Sequence, residues 1–191
     1  MLRRRLRSGP IGGPARATGR ATGSPDTLEP APSAAIQIAV VGAGEKVSAD
    51  TLSLAEAVGR QIALRGATLV CGGLGGVMEA AARGAKSAGG HTIGILPGYD
   101  RARANPFIEF VIPTGMGQAR NVIVVACSHA VVALAGEAGT LSEVALALKL
   151  GRPVVALSAW GNVAGVFQAD SPADAVTLAC ELTTGNRPSR R

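Results

Sequence analysis

The chain has 191 residues, of which 47% are hydrophobic, only 3% are aromatic and 26 are glycine, and its formal net charge is +6 at pH 7. This composition favours an α/β domain with a Val/Ala/Leu core and tight turns, and it argues against a nucleic-acid binder that stacks bases on aromatic side chains. Because no apolar run reaches the roughly 18 residues of a membrane span, no membrane partner is expected.

The positive charge lies at the two ends of the sequence. Residues 1–35 contain six arginines and two acids and residues 183–191 contain three arginines, whereas residues 36–182 contain ten basic and eleven acidic residues. No specific nucleic-acid-binding face is therefore expected on the folded domain. We predict a disordered arm over 1–35, where large apolar side chains are few, a folded domain over 36–182, and a basic tail over 183–191.

The cysteine pattern indicates a cytoplasmic protein. Cys71, Cys127 and Cys180 are odd in number and far apart, which favours reduced thiols in the core. His91 and His129 have no partner at ligand spacing, so we predict structural roles for both and no metal site. The Arg-rich start of the sequence also suits an organelle transit peptide, and a start codon assigned too far upstream is a further alternative.

From residue 36 onward, short β-branched runs alternate with longer segments of helical periodicity. The predicted strands are 36–41, 68–71, 92–96, 110–112, 130–134, 154–157 and 166–168. The predicted helices are 49–64, 76–88, 117–127, 141–150 and 172–182. This alternation predicts a single-domain α/β fold, a Rossmann-like doubly wound parallel sheet with helices on both faces.

Glycine-rich segments follow five of the predicted strands. They are 42–44, 72–76, 97–98, 114–117 and 136–139. In open α/β sheets, ligands bind outside the carboxyl ends of the strands. The recurrence of glycine at this edge of the sheet therefore favours one shared binding site.

The segment 135–143 joins a predicted strand to a predicted helix. Gly136 and Gly139 permit a close approach of the backbone to a ligand, and the N–H groups of a helix start can, with the hydroxyl of Thr140, bind a phosphate. Glu143 would lean back toward the same site. The pattern Thr140-x-x-Glu143 also fits a capping box, in which both side chains satisfy only backbone donors, and the two interpretations stay open at this point.

Three other phosphate chemistries do not fit the residues. A dinucleotide-binding G-x-G-x-x-G is interrupted, because Val47 stands in place of the third glycine and the second strand ends at Cys71 rather than at an acid. No glycine cluster is followed by the lysine of a Walker loop. The lysines of the folded domain, Lys46, Lys86 and Lys149, lie in polar or surface contexts, which does not suit a pyridoxal Schiff base.

Arg120 is the cation that best fits the proposed anion site. It lies in the helix that leads into the strand before the Gly136 turn, so its guanidinium can reach the edge that Glu143 occupies. Arginine makes forked contacts with phosphate, and it would keep a neighbouring carboxylate ionised. An exposed arginine at a helix start is the alternative.

Three motifs in this order resemble the LOG superfamily, which includes cytokinin riboside 5′-monophosphate phosphoribohydrolases, formerly mislabelled lysine decarboxylases. They are Gly-Gly-x-Gly-Gly-Val-Met over 72–78, the segment 116–121 with its Arg-Asn pair, and Gly-x-x-Gly-Thr-x-x-Glu over 136–143. The resemblance covers roughly 36–182. It implies a nucleotide-binding Rossmann-like fold and a homodimer or higher homo-oligomer. Val122, Val125 and Ala126 are available for packing, either in the core or in such an interface.

The resemblance also implies a set of site residues and a reaction. The catalytic residues would be Arg120 and Glu143, the phosphate-binding residues Gly136, Gly139 and Thr140, and the nucleoside-side residues Gly42, Gly72, Gly73 and Met78. The reaction would be hydrolysis of the N-glycosidic bond of a nucleoside 5′-monophosphate, releasing the base and ribose 5-phosphate without a required cofactor. Glu143 would stabilise positive charge at C1′ or activate water, while Arg120 anchors the phosphate or orients Glu143.

Three positions differ from the LOG pattern. Glu137 stands where a second glycine is expected, Asn121 where a lysine is expected, and Glu79 where a glycine is expected. These differences resemble a sister subgroup that is similar to molybdenum-cofactor carrier proteins. The alternative function is therefore a non-catalytic carrier or sensor, with molybdenum cofactor, a phosphorylated pterin, or another nucleotide-like ligand as cargo.

Overall fold

The computed structural model describes residues 35–184. The predicted arm lies outside this range except for residue 35, and the predicted tail lies outside it except for residues 183 and 184. Within the range the chain forms seven strands, β1 (Gln37–Val41), β2 (Thr68–Cys71), β3 (Thr92–Leu96), β4 (Phe110–Pro113), β5 (Ala130–Ala133), β6 (Val154–Leu157) and β7 (Phe167–Ala169). Its five α-helices are α1 (Ala49–Leu64), α2 (Val77–Ser87), α3 (Asn121–Ala126), α4 (Ala138–Lys149) and α5 (Pro172–Thr183).

All seven strands are parallel and form one sheet in the order β4-β3-β2-β1-β5-β6-β7. The predicted Rossmann-like α/β fold is confirmed. The central strands are almost entirely Val, Ala, Ile and Leu because both faces of the sheet are covered. No helix within residues 35–184 has the length and apolar character that crossing a membrane would require.

Alternate residues of each central strand enter two separate cores. Ile38 and Val40 of β1 pack with α1, α2 and α5, whereas Ala39 and Val41 pack with α3 and α4. This division follows from the twofold side-chain period of a strand. It places α2 and α4 on opposite faces of the sheet, with both N-termini at its carboxyl edge.

The sheet has its topological switch point between β1 and β5. The chain builds outward from β1 through β2, β3 and β4, and it then returns to add β5 on the other side of β1. The loops after β1 and β5 are joined by a hydrogen bond, which the N–H of Ala43 donates to the carbonyl of Ala135 at 3.0 Å. A crevice for ligands opens at this point in such sheets.

Helix α4 begins earlier than the sequence predicted. Its N-cap is Glu137 rather than Thr140, so Thr140 lies within the first turn and the capping box is wrong. Gly139 does not prevent α4 from starting before it. The first N–H groups of a helix make no intrahelical hydrogen bonds, so a glycine in the first turn costs little helix stability. The predicted helix 117–127 also divides, into a 3₁₀ turn over Gly117–Arg120 followed by α3.

One further prediction needs correction. Cys71 is buried, but Cys127 is exposed at the end of α3, where its thiol donates to the carbonyl of Ile123, so it is not a core thiol. Of the two alternatives for Val125, the structure shows the core, because this residue is fully buried against the sheet. The N-terminus of α5 is capped by Ser171, whose Oγ accepts a hydrogen bond from the N–H of Asp174 at 3.1 Å.

Candidate functional site

A cavity of about 340 Å³ lies at the switch point, and we call it the Arg120 cavity. Its walls are the loops after β1, β2 and β5, the 3₁₀ turn and the first turns of α2 and α4. Six of the predicted site residues line it: Gly42, Met78, Arg120, Gly139, Thr140 and Glu143. Gly72, Gly73 and Gly136 do not line the cavity. Gly72 and Gly136, however, lie directly against residues that line it.

Arg120 and Glu143 meet inside this cavity. Arg120 Nη1 lies 3.5 Å from Glu143 Oε1, and the two residues are only 6% and 7% exposed. Arg120 is therefore a buried residue rather than the exposed helix-start arginine of the alternative. Its Nη1 also donates to Asn121 Oδ1, while its Nε is buried and has no hydrogen-bond partner among the described residues.

Gly72 explains how the guanidinium of Arg120 can lie so deep. A Cβ at position 72 would stand 2.8 Å from Arg120 Cζ and 2.7 Å from Met78 Sδ, which are distances that real side chains do not tolerate. Gly72 thus makes room for the arginine at the end of β2. Gly73 has φ +74° and packs against Leu96 of β3, away from the cavity.

Gly136 and Gly139 differ in what surrounds them. A Cβ at position 136 would lie 2.7 Å from Thr140 Cβ and 3.0 Å from the amide nitrogen of Ala43, so Gly136 lets the β5 loop pack beneath α4 and against the β1 loop. At position 139 no atom lies within 4 Å of an added Cβ. Gly139 therefore leaves open space at the N-terminus of α4, where the N–H groups of the first turn point outward.

The charges of the cavity are mixed. Lys46 and Arg120 contribute two cations, and Glu45, Glu137 and Glu143 contribute three carboxyl groups. Burial raises the pKa of Glu143 to about 7, with the positive charge of Arg120 acting in the opposite direction. Burial likewise lowers the pKa of Arg120, although Glu143 opposes this. Near neutral pH the cavity can therefore lose one negative charge by taking up a proton on Glu143.

Lys46 is a cavity residue that sequence reasoning missed. It lines the cavity from the β1 loop, and its φ of +52° is unusual for a residue other than glycine. Such a conformation costs roughly 1 kcal/mol or more and is often retained at ligand sites. The available signal was its position just after the first strand, in the loop that flanks the switch point.

Asn121 was noted only as a departure from a pattern, but it connects the two helices. Its Nδ2 donates to Ser142 Oγ at 3.2 Å, and Ser142 Oγ donates to the carbonyl of Gly139 at 2.6 Å. Together with the contact from Arg120, these bonds join the 3₁₀ turn to the first turn of α4. The amide thus holds the arginine in place without adding a charge.

The histidines lie apart from the cavity. His129 Nδ1 accepts from the N–H of Gln37 at 3.0 Å at the start of the sheet, and His91 Nδ1 lies 3.1 Å from Glu109 Oε2. Within residues 35–184, His, Cys, Asp and Glu do not gather in groups of three that could ligate a metal ion.

Known proteins share this fold and much of this sequence. Residues 35–183 match the profile of the SLOG cluster4 family. A molybdenum cofactor binding protein from the phototrophic bacterium Rippkaea orientalis has a TM-score of 0.74 and 40% identity, covering 78% of this chain and 97% of that one. The molybdenum cofactor carrier protein of Chlamydomonas reinhardtii has a TM-score of 0.73 and 36% identity, covering 79% and 99%. A cytokinin riboside 5′-monophosphate phosphoribohydrolase from Mycobacterium tuberculosis is 36% identical over 140 residues, which are 68% of this chain and 74% of that protein.

Proposed function

The chain belongs to the SLOG cluster4 family, as its LOG-like motifs predicted, and on this premise we propose that it is a binding protein for a phosphorylated, nucleotide-like ligand held in the Arg120 cavity. Molybdenum cofactor is the ligand to test first, because two proteins of similar structure are a molybdenum cofactor binding protein and a molybdenum cofactor carrier protein. In this proposal the cofactor is cargo, which the protein binds and releases without changing it.

The observation that carries the proposal is the buried guanidinium of Arg120, which is only partly satisfied by hydrogen bonds. Its Nε is buried without a partner among residues 35–184, and the side chain opens onto the cavity. A buried polar group without a hydrogen bond costs stability, and a buried charge costs more. The part of the guanidinium that lines the cavity can donate to an anionic ligand oxygen, and the negative charge of that ligand would offset the cost of burying the arginine.

The residues present fit a ligand with one phosphate end. The open N-terminus of α4, the hydroxyl of Thr140 and the ammonium of Lys46 would receive the phosphate. Met78 and Leu74 offer apolar surface to the ring system beside it. Glu137 and Glu143 can accept hydrogen bonds from ring N–H groups or hydroxyl groups of the same ligand.

The two protonation states of Glu143 suit the two functions differently, and both states are populated near neutral pH. With its pKa raised to about 7, a large part of Glu143 is neutral at physiological pH. A neutral carboxyl group neither stabilises positive charge at C1′ nor accepts a proton from water. It does, however, spare a phosphate from facing a third carboxylate in the same cavity.

Phosphoribohydrolase activity is the second candidate, and the Arg120–Glu143 pair supports it. When Glu143 is ionised, its carboxylate could stabilise an oxocarbenium-like C1′ or take a proton from the attacking water, while Arg120 holds it in position. The similar enzyme from Mycobacterium tuberculosis gives this candidate further support. The activity would rise with pH as Glu143 ionises.

One experiment separates the two functions. The full chain is incubated with molybdenum cofactor released from a molybdoenzyme and, separately, with AMP and GMP; bound pterin and molybdenum are measured after gel filtration, and free base is measured by chromatography. We expect the cofactor to remain bound, the Arg120→Met variant to lose it, and no base to appear. Base release that disappears in Glu143→Gln, without retention of the cofactor, would instead establish the enzyme.

A further inference from the structure

A second cavity continues from the Arg120 cavity, and we call it the Glu79 cavity. It measures about 420 Å³ and is lined by Glu79, Arg103 and Asn105 among others. Gly44, Glu45, Leu74 and Met78 line both cavities. The two cavities therefore form one continuous trench across the carboxyl ends of β1 and β2, longer than a phosphate requires.

The far wall of the trench is fixed by Asn105. Its Nδ2 donates to the carbonyl of Leu74 at 2.8 Å and its N–H donates to the carbonyl of Gly73 at 2.9 Å, and the residue is only 8% exposed. These bonds hold the loop before β4 against the loop after β2. The trench is thus part of the built structure, with the half-buried side chains of Leu74 and Met78 between its two ends.

The two ends of the trench each contain groups of both charges, but they differ in which groups these are. The Arg120 end contains Lys46, Arg120 and the N-terminus of α4, which together attract a phosphate. The other end contains the carboxylate of Glu79, in the first turn of α2, and the side chain of Arg103. The nearby Arg83 donates its Nε and Nη2 hydrogen bonds to Glu56, at 3.1 and 2.7 Å, rather than to Glu79. A ligand lying in the trench would therefore place its phosphate at Arg120 and its hydrogen-bond donors at Glu79.

We propose that Glu79 determines ligand specificity by accepting two hydrogen bonds from a heterocycle with adjacent amino and ring N–H groups, the edge shared by guanine and pterins. This inference rests on the proposed function and names the ligand class of the same site. A carboxylate has two acceptor oxygens that match two parallel donors. Adenine offers a donor beside an acceptor at the corresponding edge, so one oxygen of Glu79 would face a lone pair.

The competing explanation is that Glu79 only stabilises the start of α2. An acid in the first turn of a helix interacts favourably with the helix dipole. That role predicts a small change in stability and no change in ligand preference when Glu79 is replaced. Ligand preference is therefore the measurement that distinguishes the two explanations.

The test uses GMP, IMP and AMP as probes, with ribose 5-phosphate as the part they share. IMP differs from GMP only in lacking the amino group. Affinities are measured by calorimetry for the full chain, for Glu79→Gln and for Glu181→Gln, a matched control on the exposed side of α5. We expect the wild type and the control to bind GMP roughly tenfold to a hundredfold more tightly than IMP or AMP, since one or two charge-assisted hydrogen bonds are lost. In Glu79→Gln the ratio should fall toward one, with the affinity for ribose 5-phosphate unchanged.

Three results would overturn the inference. Equal binding of GMP and IMP by the wild type would show that the amino group is not recognised. A GMP preference that survives in Glu79→Gln, or that disappears in Glu45→Gln instead, would assign the recognition to another residue. Failure of ribose 5-phosphate and of all three nucleotides to bind would remove the proposed phosphate site itself, whereas binding without discrimination removes only the role of Glu79.

Discussion

The two helix pairs that cover the sheet are held together in different ways. Helices α1 and α2 approach so closely that a Cβ at Gly59 would overlap the carbonyl oxygen of Ala81. Helices α3 and α4 also share apolar contacts, but their N-terminal ends hold the buried charged pair of Arg120 and Glu143. The first contact is made by shape and apolar burial, whereas the second keeps desolvated charge where a hydrophobic pair would serve stability better.

This difference separates a helix contact that affects only stability from one that also affects ligand binding. The α1/α2 contact contains no group that needs a ligand, so substitutions there should change stability alone. The α3/α4 contact leaves the Nε of Arg120 without a partner among residues 35–184 and raises the pKa of Glu143 to about 7. Substitutions on that side should change stability, pH dependence and binding together.

The largest effect is expected from breaking the buried pair. Glu143→Leu leaves the charge of Arg120 buried without a counter-ion, and we expect the free energy of unfolding to fall by about 3–5 kcal/mol. The double variant Arg120→Met with Glu143→Leu should recover most of this loss, because no unpaired charge remains. Urea unfolding of the two single variants and the double variant measures the coupling, and additive losses would show that the pair is not a unit.

A smaller loss is expected at the other helix pair. Gly59→Ala forces α1 and α2 apart, and we expect about 2–3 kcal/mol of destabilisation despite the better helix propensity of alanine. The dependence of stability on pH should stay as in the wild type. Urea unfolding at two pH values checks both statements, and an unchanged stability would mean that the close approach of the helices relaxes without cost.

The pH dependence should distinguish the two sides of the sheet. The pKa of Glu143 is about 7 in the folded chain, whereas the ordinary value for a glutamate is 4.5. Between pH 4.5 and pH 7 the folded chain is therefore more protonated at this position than the unfolded chain. Stability from this group is present at low pH and is lost as pH rises toward 7, by about 3 kcal/mol.

The comparison variant for this slope is Glu143→Gln, which cannot titrate at that position. Hydrogen bonds from Arg83 and Lys86 lower the pKa of Glu56 and Glu109, so these two groups lose their stabilisation only on further acidification. The difference between wild type and Glu143→Gln from pH 5 to pH 8 therefore isolates Glu143. Parallel curves for the two proteins would contradict the raised pKa.

The smallest effect on stability is expected at Gly139. An added Cβ there meets no atom within 4 Å, so Gly139→Ala should change the free energy of unfolding by less than about 0.5 kcal/mol. Because the methyl group would stand beside the N–H groups of α4 in the cavity, binding of ribose 5-phosphate should weaken. Unfolding and calorimetry on the same variant check this, and unchanged binding would place the phosphate elsewhere.

Several features of the site were accessible from the sequence. The repeated glycines at predicted strand ends and the position of Arg120 in the helix before the fifth strand pointed to one edge of a parallel sheet, where the structure brings Arg120, Thr140 and Glu143 together. Their functional roles stay predictions. The start of α4 was misplaced because Gly139 reads as a loop residue, although a helix tolerates glycine in its first turn.

Local patterns by themselves determined the kind and order of the elements, because hydrophobic periodicity reports the burial of each segment one turn or one pleat at a time. They also indicated that the sheet is parallel. The depth of Arg120, the room that Gly72 makes for it, the pKa of Glu143 and the entry of Lys46 into the cavity were decided by the tertiary structure alone. These properties depend on distances between segments far apart in the chain, which strand order and helix packing set and no local pattern encodes.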